Sequence, residues 1–261
     1  MARYQVILAY DGTEFQGFQR QARERTVQGV IEDALRKLGW QGSSLLAAGR
    51  TDAGVHASGQ VIAFDLQWQH SPEDLLMALN ANLPADVAAR DIHIASPEFH
   101  PRYDAVSRCY RYHIFCEPVR SPLRERYAWR VWPLADPDRM QAAASRLSGS
   151  HDFAAFGNSP QPGGKTIRTV TRAEWLAVGP LLVFEIVAEA FLYHMVRRLV
   201  SFQVEIGQGR REMAQVEQYL GHPNGEMVQG LAPAQGLVLV EVLYRHDESG
   251  QTKPPGLDDD E

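Results

Sequence analysis

Hydrophobic and polar residues follow a regular order through the first hundred positions of the chain. Some stretches alternate between the two classes, which is typical of strands with one buried face. Others repeat apolar residues every three or four positions, which is typical of helices. Strands are predicted at 3–10, 45–48, 61–66 and 86–96, and helices at 26–39 and 71–81. Their order is strand, helix, strand, strand, helix, strand.

The second half of the chain repeats this order. Strands are predicted at 107–116, 168–178, 182–192 and 236–245, and helices at 136–147 and 192–207. The middle two strands flank Gly179-Pro180 and should form a hairpin. Two successive ferredoxin-like βαββαβ units, with helices packed on a largely antiparallel sheet, account for this order. We therefore predict an α+β fold with an N-terminal domain at 1–104, a C-terminal domain at 105–245 and an acidic, disordered tail at 246–261.

The length and the hydropathy of the chain set broad limits. A chain of 261 residues can hold one large domain or two modest ones. No window approaches the roughly eighteen consecutive apolar residues of a membrane span, and the first residues lack a signal-peptide cleavage pattern. We therefore expect a soluble, cytoplasmic protein.

The cysteines and histidines do not suggest a metal site. Cys109 and Cys116 lie in one predicted strand at an odd separation, so they should point to opposite faces and not bond to each other. Neither belongs to a CxxC motif, and the nine histidines show no HxH or HExxH spacing. The sequence therefore predicts no zinc site, and it contains no nucleotide-binding loop that would suggest a cofactor.

The net charge of −6 is concentrated at the C-terminus, where residues 246–261 hold six acidic residues against one lysine. The rest of the chain is left at −1, and 23 of the 26 cations are arginine, the better bidentate ligand for phosphate. A coding bias towards GC-rich codons would also favour arginine, and the sequence leaves both explanations open. The candidate phosphate contacts are Arg20, Arg23, Arg25, Arg120, Arg124, Arg126, Arg130, Lys165, Arg168 and Arg172.

The most distinctive stretch is 48–61, AGRTDAGVHASGQV, which places Arg50, Thr51, Asp52 and His56 between two predicted strands. Glycine permits sharp turns and close backbone approach, and loops between rigid strands commonly display reactive side chains. The loop offers one carboxylate with a cation two positions before it. The residues alone leave open that Arg50 and Asp52 only pair with each other and cap a turn.

The string GRTDAGVHASGQV resembles the active-site motif of the TruA family of tRNA pseudouridine synthases. The blocks DGTEFQGFQRQ, RTVQGVIEDAL, LNANLPADVAAR, SRCYRYHI, FLYHMVRRLV and APAQGLVLVEVLY resemble further family segments, so the resemblance runs from the first strand to about Tyr244. It departs at Phe18, where the family usually has tryptophan, and at SFQ after MVRRLV, where small residues are more usual. The resemblance implies an active-site cleft between the two halves.

The resemblance implies catalytic roles for three residues. Asp52 would be the nucleophile, Arg50 the motif arginine beside it, and Arg197 of MVRR a partner of the aspartate. Helical spacing puts Arg197 at the edge of an apolar stripe, where a partly buried guanidinium needs an anion. Such a pairing would keep Asp52 ionised, as a nucleophile requires.

Three further residues are candidates for substrate binding. Tyr110 of CYRY would lie over the target base, although a tyrosine on a strand is also a common core residue. His56 and Arg108 are the other two candidates. For His56 and also for His194, a structural or RNA-contacting role is expected rather than a catalytic one.

The same resemblance implies a substrate and an assembly. Members of the family convert uridines 38, 39 and 40 of the tRNA anticodon stem-loop to pseudouridine as homodimers, and for this chain we expect neither a metal nor a membrane as partner. A stacked uracil is unreachable, so the nucleotide must be flipped into a pocket. Arg50 is well placed to fill the vacated space and Tyr110 to stack on the base.

Two other functions compete with this interpretation. A non-catalytic RNA-binding protein with two RRM-like units would share the order of elements, but it needs an aromatic RNP1 pattern that GQVIAFDL does not provide. A carboxylate-dependent glycoside or nucleoside hydrolase would normally need a second carboxyl group, and the loop contains only Asp52.

Overall fold

A computed structural model describes residues 1–159, 163–221, 226–246 and 252–253. The strands are β1 (Ala2–Tyr10), β2 (Leu46–Ala47), β3 (His56–Leu66), β4 (Val87–Ala95), β5 (Ala105–Phe115), β6 (Trp129–Arg130), β7 (Gly149–Asp152), β8 (Ile167–Val178), β9 (Leu181–Ala188), β10 (Leu237–His246) and β11 (Thr252–Lys253). The helices are α1 (Val27–Lys37), α2 (Pro72–Asn82), α3 (Pro137–Ser145), α4 (Met195–Gly207) and α5 (Gln215–Gly221). No described helix is long and apolar enough to cross a membrane.

The chain forms two compact units. Unit 1 comprises Met1–Arg108 and the stretch from Leu239 onward, and unit 2 comprises Cys109–Val238. The sequence-based division placed the whole last strand in the C-terminal domain, whereas most of β10 belongs to unit 1. A Cβ added at Gly59 in β3 would lie 2.0 Å from the Val240 carbonyl oxygen. Glycine therefore allows β10 to approach β3 closely.

Unit 1 contains a sheet in the order β4-β1-β3-β10. β1 runs antiparallel to both of its neighbours, and Val6 lies opposite Ile62 on one side and Ile92 on the other. All three residues are buried. The helices add further fully buried side chains, namely Ile31 and Leu35 of α1 and Leu75 and Leu79 of α2. The predicted order of elements in the N-terminal half is confirmed.

Both helices of unit 1 begin at the side chains that the sequence indicates. Thr26 precedes α1 and accepts a hydrogen bond from the Gly29 amide at 3.3 Å. Beyond the end of α1, Gly39 has a φ of +92°, a conformation that glycine adopts without strain. Ser71 precedes α2 and forms a reciprocal capping box with Asp74.

Unit 2 contains strands in the order β5-β9-β8-β7. β8 and β9 form the predicted antiparallel hairpin, with Val178 opposite Leu181. β7 pairs antiparallel with β8, and the short β6 pairs parallel with β5. α3 packs on α4 and on β8, burying Met140 and Leu199. The predicted α+β class and the largely antiparallel sheet are confirmed.

Some local features differ from the sequence-based prediction. α4 begins at Met195 and not at residue 192, because Tyr193 forms a bridge with Asn158 and His194 takes a left-handed conformation with φ of 65°. β6, β7 and α5 were not predicted, since elements of two to seven residues are too short to show a period.

Two predictions concern the cysteines and the tail. Cys109 and Cys116 do not form a disulfide with each other, as predicted. Most of the tail predicted to be disordered at 246–261 lies outside the described residues. Within it, Thr252 and Lys253 pair antiparallel with His246 and Arg245 at the end of β10.

A buried carboxylate joins α1 to the segment that leads into β2. Glu32 is fully buried and accepts hydrogen bonds from the Leu45 amide at 3.2 Å and the Gln28 side chain at 2.8 Å. The guanidinium groups of Arg20 and Arg36 both contact its second oxygen. Each lone-pair direction of a buried carboxylate needs such a partner, so Glu32 fixes the position of the chain before β2.

Replacing this carboxylate tests its structural role. We expect Glu32→Gln to lower the free energy of unfolding by about 2 to 4 kcal/mol, because two arginines lose their anion while the site stays buried. The measurement is the urea midpoint followed by circular dichroism. Asp33→Asn is the matched control, since its side chain is 71% exposed and pairs with Arg36 at the surface. A midpoint for Glu32→Gln equal to that of the control would contradict the assignment.

Candidate active site

Residues 48–55, the motif loop, connect β2 to β3 in unit 1. The loop starts where the Ala48 amide donates to the Val61 carbonyl at 2.9 Å, and it closes in a turn where the Val55 amide donates to the Asp52 carbonyl at 3.2 Å. Gly54 within this turn has a φ of +77°. The predicted arrangement of a strand, a tight polar loop and a strand is confirmed.

A second segment, residues 11–25 or the first loop, packs directly against the motif loop. The Phe18 amide donates to the Thr51 carbonyl at 3.0 Å, and the Gly54 amide donates to the Phe15 carbonyl at 3.2 Å. Both phenylalanine side chains are buried. They therefore anchor the first loop in the core and are not exposed stacking surfaces for RNA.

Glycine makes this contact possible at two positions of the first loop. A Cβ added at Gly12 would lie 2.0 Å from the Val55 carbonyl oxygen. At Gly17, which has a φ of +89°, a Cβ would lie 2.9 Å from the Thr51 carbonyl oxygen. Neither distance leaves room for a side chain against backbone atoms. The two loops are thus held together at backbone contact distance.

His56, the first residue of β3, fixes the turn at the start of the first loop. Its ring is 5% exposed, and its Nδ1 accepts a hydrogen bond from the Gly12 amide at 3.0 Å. The same nitrogen lies 3.2 Å from a carboxylate oxygen of Asp11. These contacts support the expected structural role of His56.

Arg50 and Asp52 differ from their neighbours in exposure. Arg50 is exposed, Asp52 is half-buried, and Thr51 between them is buried. Across the part of the chain that the structure describes, Arg50 makes no hydrogen bond or ion pair. The alternative that Arg50 and Asp52 only pair with each other is therefore wrong. The guanidinium of Arg50 is available to a ligand.

Arg108 ties the motif loop to a neighbouring turn. Its Nη2 donates to the carbonyl of Ala48 at 3.2 Å and to that of Arg102 at 2.6 Å, and its Nη1 donates to the Ala105 carbonyl at 3.3 Å. Three backbone acceptors on one guanidinium hold these segments in register. The predicted contact of Arg108 with substrate stays a prediction beside this structural role.

The turn held by Arg108 displays an aromatic side chain. Tyr103 is 68% exposed, its ring lies 4.2 Å from that of His100, and the Arg102 guanidinium lies 5.9 Å from it. The His100 amide donates to the buried Asp104 carboxylate at 2.8 Å, and the Tyr244 hydroxyl donates to the Pro101 carbonyl at 2.8 Å. A rigid turn that exposes an aromatic ring and a cation suits contact with unstacked RNA bases.

Tyr110 lies on β5 in unit 2 and is half-buried. Its ring meets that of Phe191 edge to face, with centroids 5.0 Å apart and planes at 80°. This packing fixes the plane of the tyrosine ring and leaves part of it exposed, which is compatible with stacking on a base.

Arg197 lies in the first turn of α4 and is half-buried, as its position at the edge of the apolar stripe predicts. Its Nε donates to the Ala232 carbonyl at 2.7 Å, and the Ala232 amide donates to the Arg197 carbonyl at 3.2 Å. His194 precedes α4, and its backbone is in the left-handed conformation. Its ring stacks on that of Tyr193, with centroids 3.7 Å apart. Asp52 belongs to unit 1 and Arg197 to unit 2, and their pairing stays a prediction.

Comparison with known proteins decides the family. The family described as tRNA pseudouridine synthase matches residues 6–104 and 143–245, which together make up well over half of the chain. The chain belongs to the tRNA pseudouridine synthase family. It is therefore an enzyme of the isomerase class.

Curated relatives agree along almost the whole length. Proteins named tRNA pseudouridine synthase A are similar to this chain in Limosilactobacillus fermentum, at 40% identity over 96% of this chain and 99% of that protein, and in Geobacillus kaustophilus, at 41% over 94% and 95%. The Streptococcus equi subsp. equi relative is 41% identical over 94% of this chain and 99% of its own length. A solved structure titled "Crystal Structure of a Cbf5-Nop10-Gar1 Complex" aligns at a TM-score of 0.40 and 13% identity, over 93% of this chain and 51% of its own, which is too weak to add to the argument.

For this pseudouridine synthase, most of the arginines proposed as phosphate contacts are already engaged by carboxylates. Arg25 pairs with Asp86 at 2.7 and 2.9 Å. Further pairs join Arg20 to Glu32, Arg124 to Glu117, Arg120 and Arg130 to Glu125, and Arg172 to Glu185. By contrast, the side chains of Arg23 and Lys165 are exposed and have no partner within the described ranges. These two are the better candidates for phosphate.

Glu185 shows how firmly such a pair is held. Burial pushes the pKa of Glu185 up, but hydrogen bonds from Arg172 at 2.8 Å and from Arg111 at 2.7 Å outweigh it and hold the pKa below its ordinary value. Both arginines are committed to this carboxylate. We therefore assign Arg172 a structural role in unit 2.

Several residues that position the motif loop carry no direct signal in the sequence. Four residues contact this loop although nothing in their own segments distinguishes them, namely Tyr10, Gly12, Gly17 and Gln60. Gly12 and Gly17 are the exception, because glycine is the residue that permits close backbone approach. Among the described residues, no three His, Cys, Asp or Glu side chains are grouped to hold a metal ion.

Closing the space at Gly12 tests the contact between the two loops. We expect Gly12→Ala to slow pseudouridine formation at least about tenfold, because small displacements of reacting groups cost one to two orders of magnitude. The measurement is the rate of modification of a tRNA transcript. Gly221→Ala is the control, since a Cβ there meets nothing within 4 Å. Wild-type activity of Gly12→Ala would show that the two loops do not need this contact.

Proposed function

We propose that this enzyme converts uridines 38, 39 and 40 of the tRNA anticodon stem-loop to pseudouridine, with Asp52 as its catalytic carboxylate. The observation that carries the proposal is the geometry of the motif loop. One half-buried carboxylate and one unpaired guanidinium are held two positions apart on a backbone fixed from both sides. The names of the curated relatives support tRNA as the substrate.

The reaction needs one nucleophile and no external reagent. The N1–C1′ bond breaks, the uracil turns within the site, C5 bonds to C1′, and the proton lost from C5 is balanced by the one gained at N1. Oxidation states are unchanged overall. Asp52 either assists formation of a reactive sugar intermediate or attacks the base directly, and the proposal includes both routes.

Arg50 would act on the RNA and not on the bond being broken. A paired or stacked uridine must leave the helix before it reacts, and unstacking costs on the order of a few kcal/mol. A planar guanidinium with no protein partner can occupy the vacated space and bind phosphate or a base edge. The exposure of Arg50 supports this role.

In unit 2, Tyr110 would stack on the flipped base and Arg197 would support the aspartate. The edge contact with Phe191 supports a fixed ring plane for Tyr110, and the bond to the Ala232 carbonyl supports a fixed Arg197 guanidinium. In unit 1, Arg102 and Tyr103 would contact the RNA beside the motif loop. We further propose that the enzyme acts as a cytoplasmic homodimer without a cofactor.

The experiment that tests the function combines mapping with one substitution. The purified enzyme, treated with EDTA, should form pseudouridine at positions 38–40 of tRNA transcripts that carry uridine there and at no other position. Asp52→Asn should abolish turnover and leave tRNA affinity within about threefold, because only the nucleophile is lost. Asp91→Asn, which changes an exposed carboxylate on β4, is the control. Turnover by Asp52→Asn, or modification at other positions, would refute the proposal.

The division between paired and unpaired cations predicts different salt effects. Affinity for tRNA should fall with salt, and Lys165→Ala and Arg23→Ala should each flatten the slope of log K against log salt by somewhat less than about one unit. Arg124→Ala should change the slope less, because Glu117 already holds that guanidinium. Equal effects of all three substitutions would contradict the division, and unchanged slopes would favour the coding-bias explanation of the arginines.

A further inference from the structure

A chain of buried hydrogen bonds reaches the motif loop from the interior of unit 1. The Tyr10 hydroxyl lies 2.8 Å from the Thr51 hydroxyl. The Gln60 amide nitrogen donates to the Gly49 carbonyl at 3.1 Å, and its oxygen accepts from the Val61 amide at 3.2 Å. Tyr10 and Gln60 therefore bond to the two residues that flank Arg50, Thr51 and Gly49 respectively.

These groups are shielded from water. Tyr10 is 4% exposed, Thr51 8% and Gln60 fully buried. Burial raises the pKa of Tyr10 to about 12, so the phenol stays neutral at physiological pH. In such surroundings each polar group depends on its few partners, so the geometry of the chain is well determined.

Thr51 lies between Arg50 and Asp52, so holding its side chain and its backbone also limits the directions of its two neighbours. Thr51 points inward to Tyr10, and Arg50 is exposed while Asp52 is half-buried. The Thr51 carbonyl is held separately by the Phe18 amide at 3.0 Å. The segment is thus fixed by side chain and backbone at its middle residue.

We propose that Tyr10 is a positioning residue for the isomerisation, acting through Thr51 to set the direction in which Arg50 and Asp52 leave the backbone. This inference rests on the proposed roles of those two residues. Tyr10 itself touches no reacting atom in this account. Its loss should affect the chemical step more than tRNA binding, because the proposed phosphate contacts, Arg23 and Lys165, lie outside the motif loop.

Another tyrosine of β1 provides a matched control. Tyr4 is also buried, and its ring stacks on Phe64 with centroids 6.0 Å apart. Within the described residues its hydroxyl makes no hydrogen bond. Removing the hydroxyl from Tyr4 therefore changes the same strand by the same atom without touching the motif loop.

The experiment compares single-turnover rates and tRNA dissociation constants for Tyr10→Phe, Thr51→Val, the double variant, Thr51→Ser and Tyr4→Phe. We expect Tyr10→Phe and Thr51→Val each to lower the rate about tenfold or more, with dissociation constants changed less than about twofold. The double variant should be no slower than the slower single variant, because both remove one interaction. Thr51→Ser keeps the hydroxyl and should retain the rate, as should Tyr4→Phe.

Three outcomes would overturn the inference: a Tyr10→Phe rate within about twofold of wild type, rate losses that multiply in the double variant, or an equal loss in Tyr4→Phe. Rates are taken per folded molecule, with folding checked by thermal unfolding. The Asp52→Asn variant distinguishes a failure of the proposed function from a failure of the positioning role of Tyr10. An active Asp52→Asn variant refutes the proposed function, whereas an inactive one beside a fully active Tyr10→Phe refutes only the positioning role.

Discussion

The contact between the first loop and the motif loop is the constraint on which the candidate site depends. At Gly12 and Gly17 the first loop meets the carbonyl oxygens of Val55 and Thr51 with no space for a Cβ. A carbonyl held in a tight loop cannot rotate aside as a flexible side chain can, so only glycine fits at these positions. Backbone hydrogen bonds then hold both loops at this distance. The position of Asp52 follows from this contact and not from any bond made by Arg50.

Residues that hold the site and residues that are free to act on RNA are largely separate. Glu32, His56 and Tyr10 are buried, and their polar atoms are used within the protein. Arg50 is exposed and unpaired within the described chain, and Tyr103 is exposed on a turn fixed by other residues. Such a separation lets the exposed groups meet RNA without weakening the scaffold, because no internal bond has to break first.

Periodic segments were predictable, and contacts between segments were not. α1 and α2 follow from apolar spacing together with the caps at Thr26 and Ser71, all of which are local in sequence. The start of α4 was misplaced because Tyr193 pairs with Asn158, a partner distant in sequence. β6 and β7 depend on neighbouring strands for their hydrogen bonds and carry no period of their own.

In the candidate site, too, some residues stand out in the sequence and others are recognised only from contacts between distant segments. Arg50 and Asp52 stand out in the sequence because the motif is distinctive as a string. The link from Tyr10 to Thr51 spans 41 positions and involves residue types that are common in any strand or loop. Arg108 was expected at the substrate, and its bond to the Ala48 carbonyl, 60 positions away, depends on how distant segments pack. A single sequence does not encode such contacts in a readable form.

Native-state hydrogen exchange tests most directly whether the motif loop is clamped. The relevant amides are those of Gly12, Phe18 and Gly54, which donate to His56, Thr51 and Phe15. If the loops form one rigid body within unit 1, these amides should exchange within about tenfold of the buried amides of β3, since they open only with the core. Exchange as fast as that of the exposed residues 21–24 would contradict the account, because the motif loop would then open independently of the sheet.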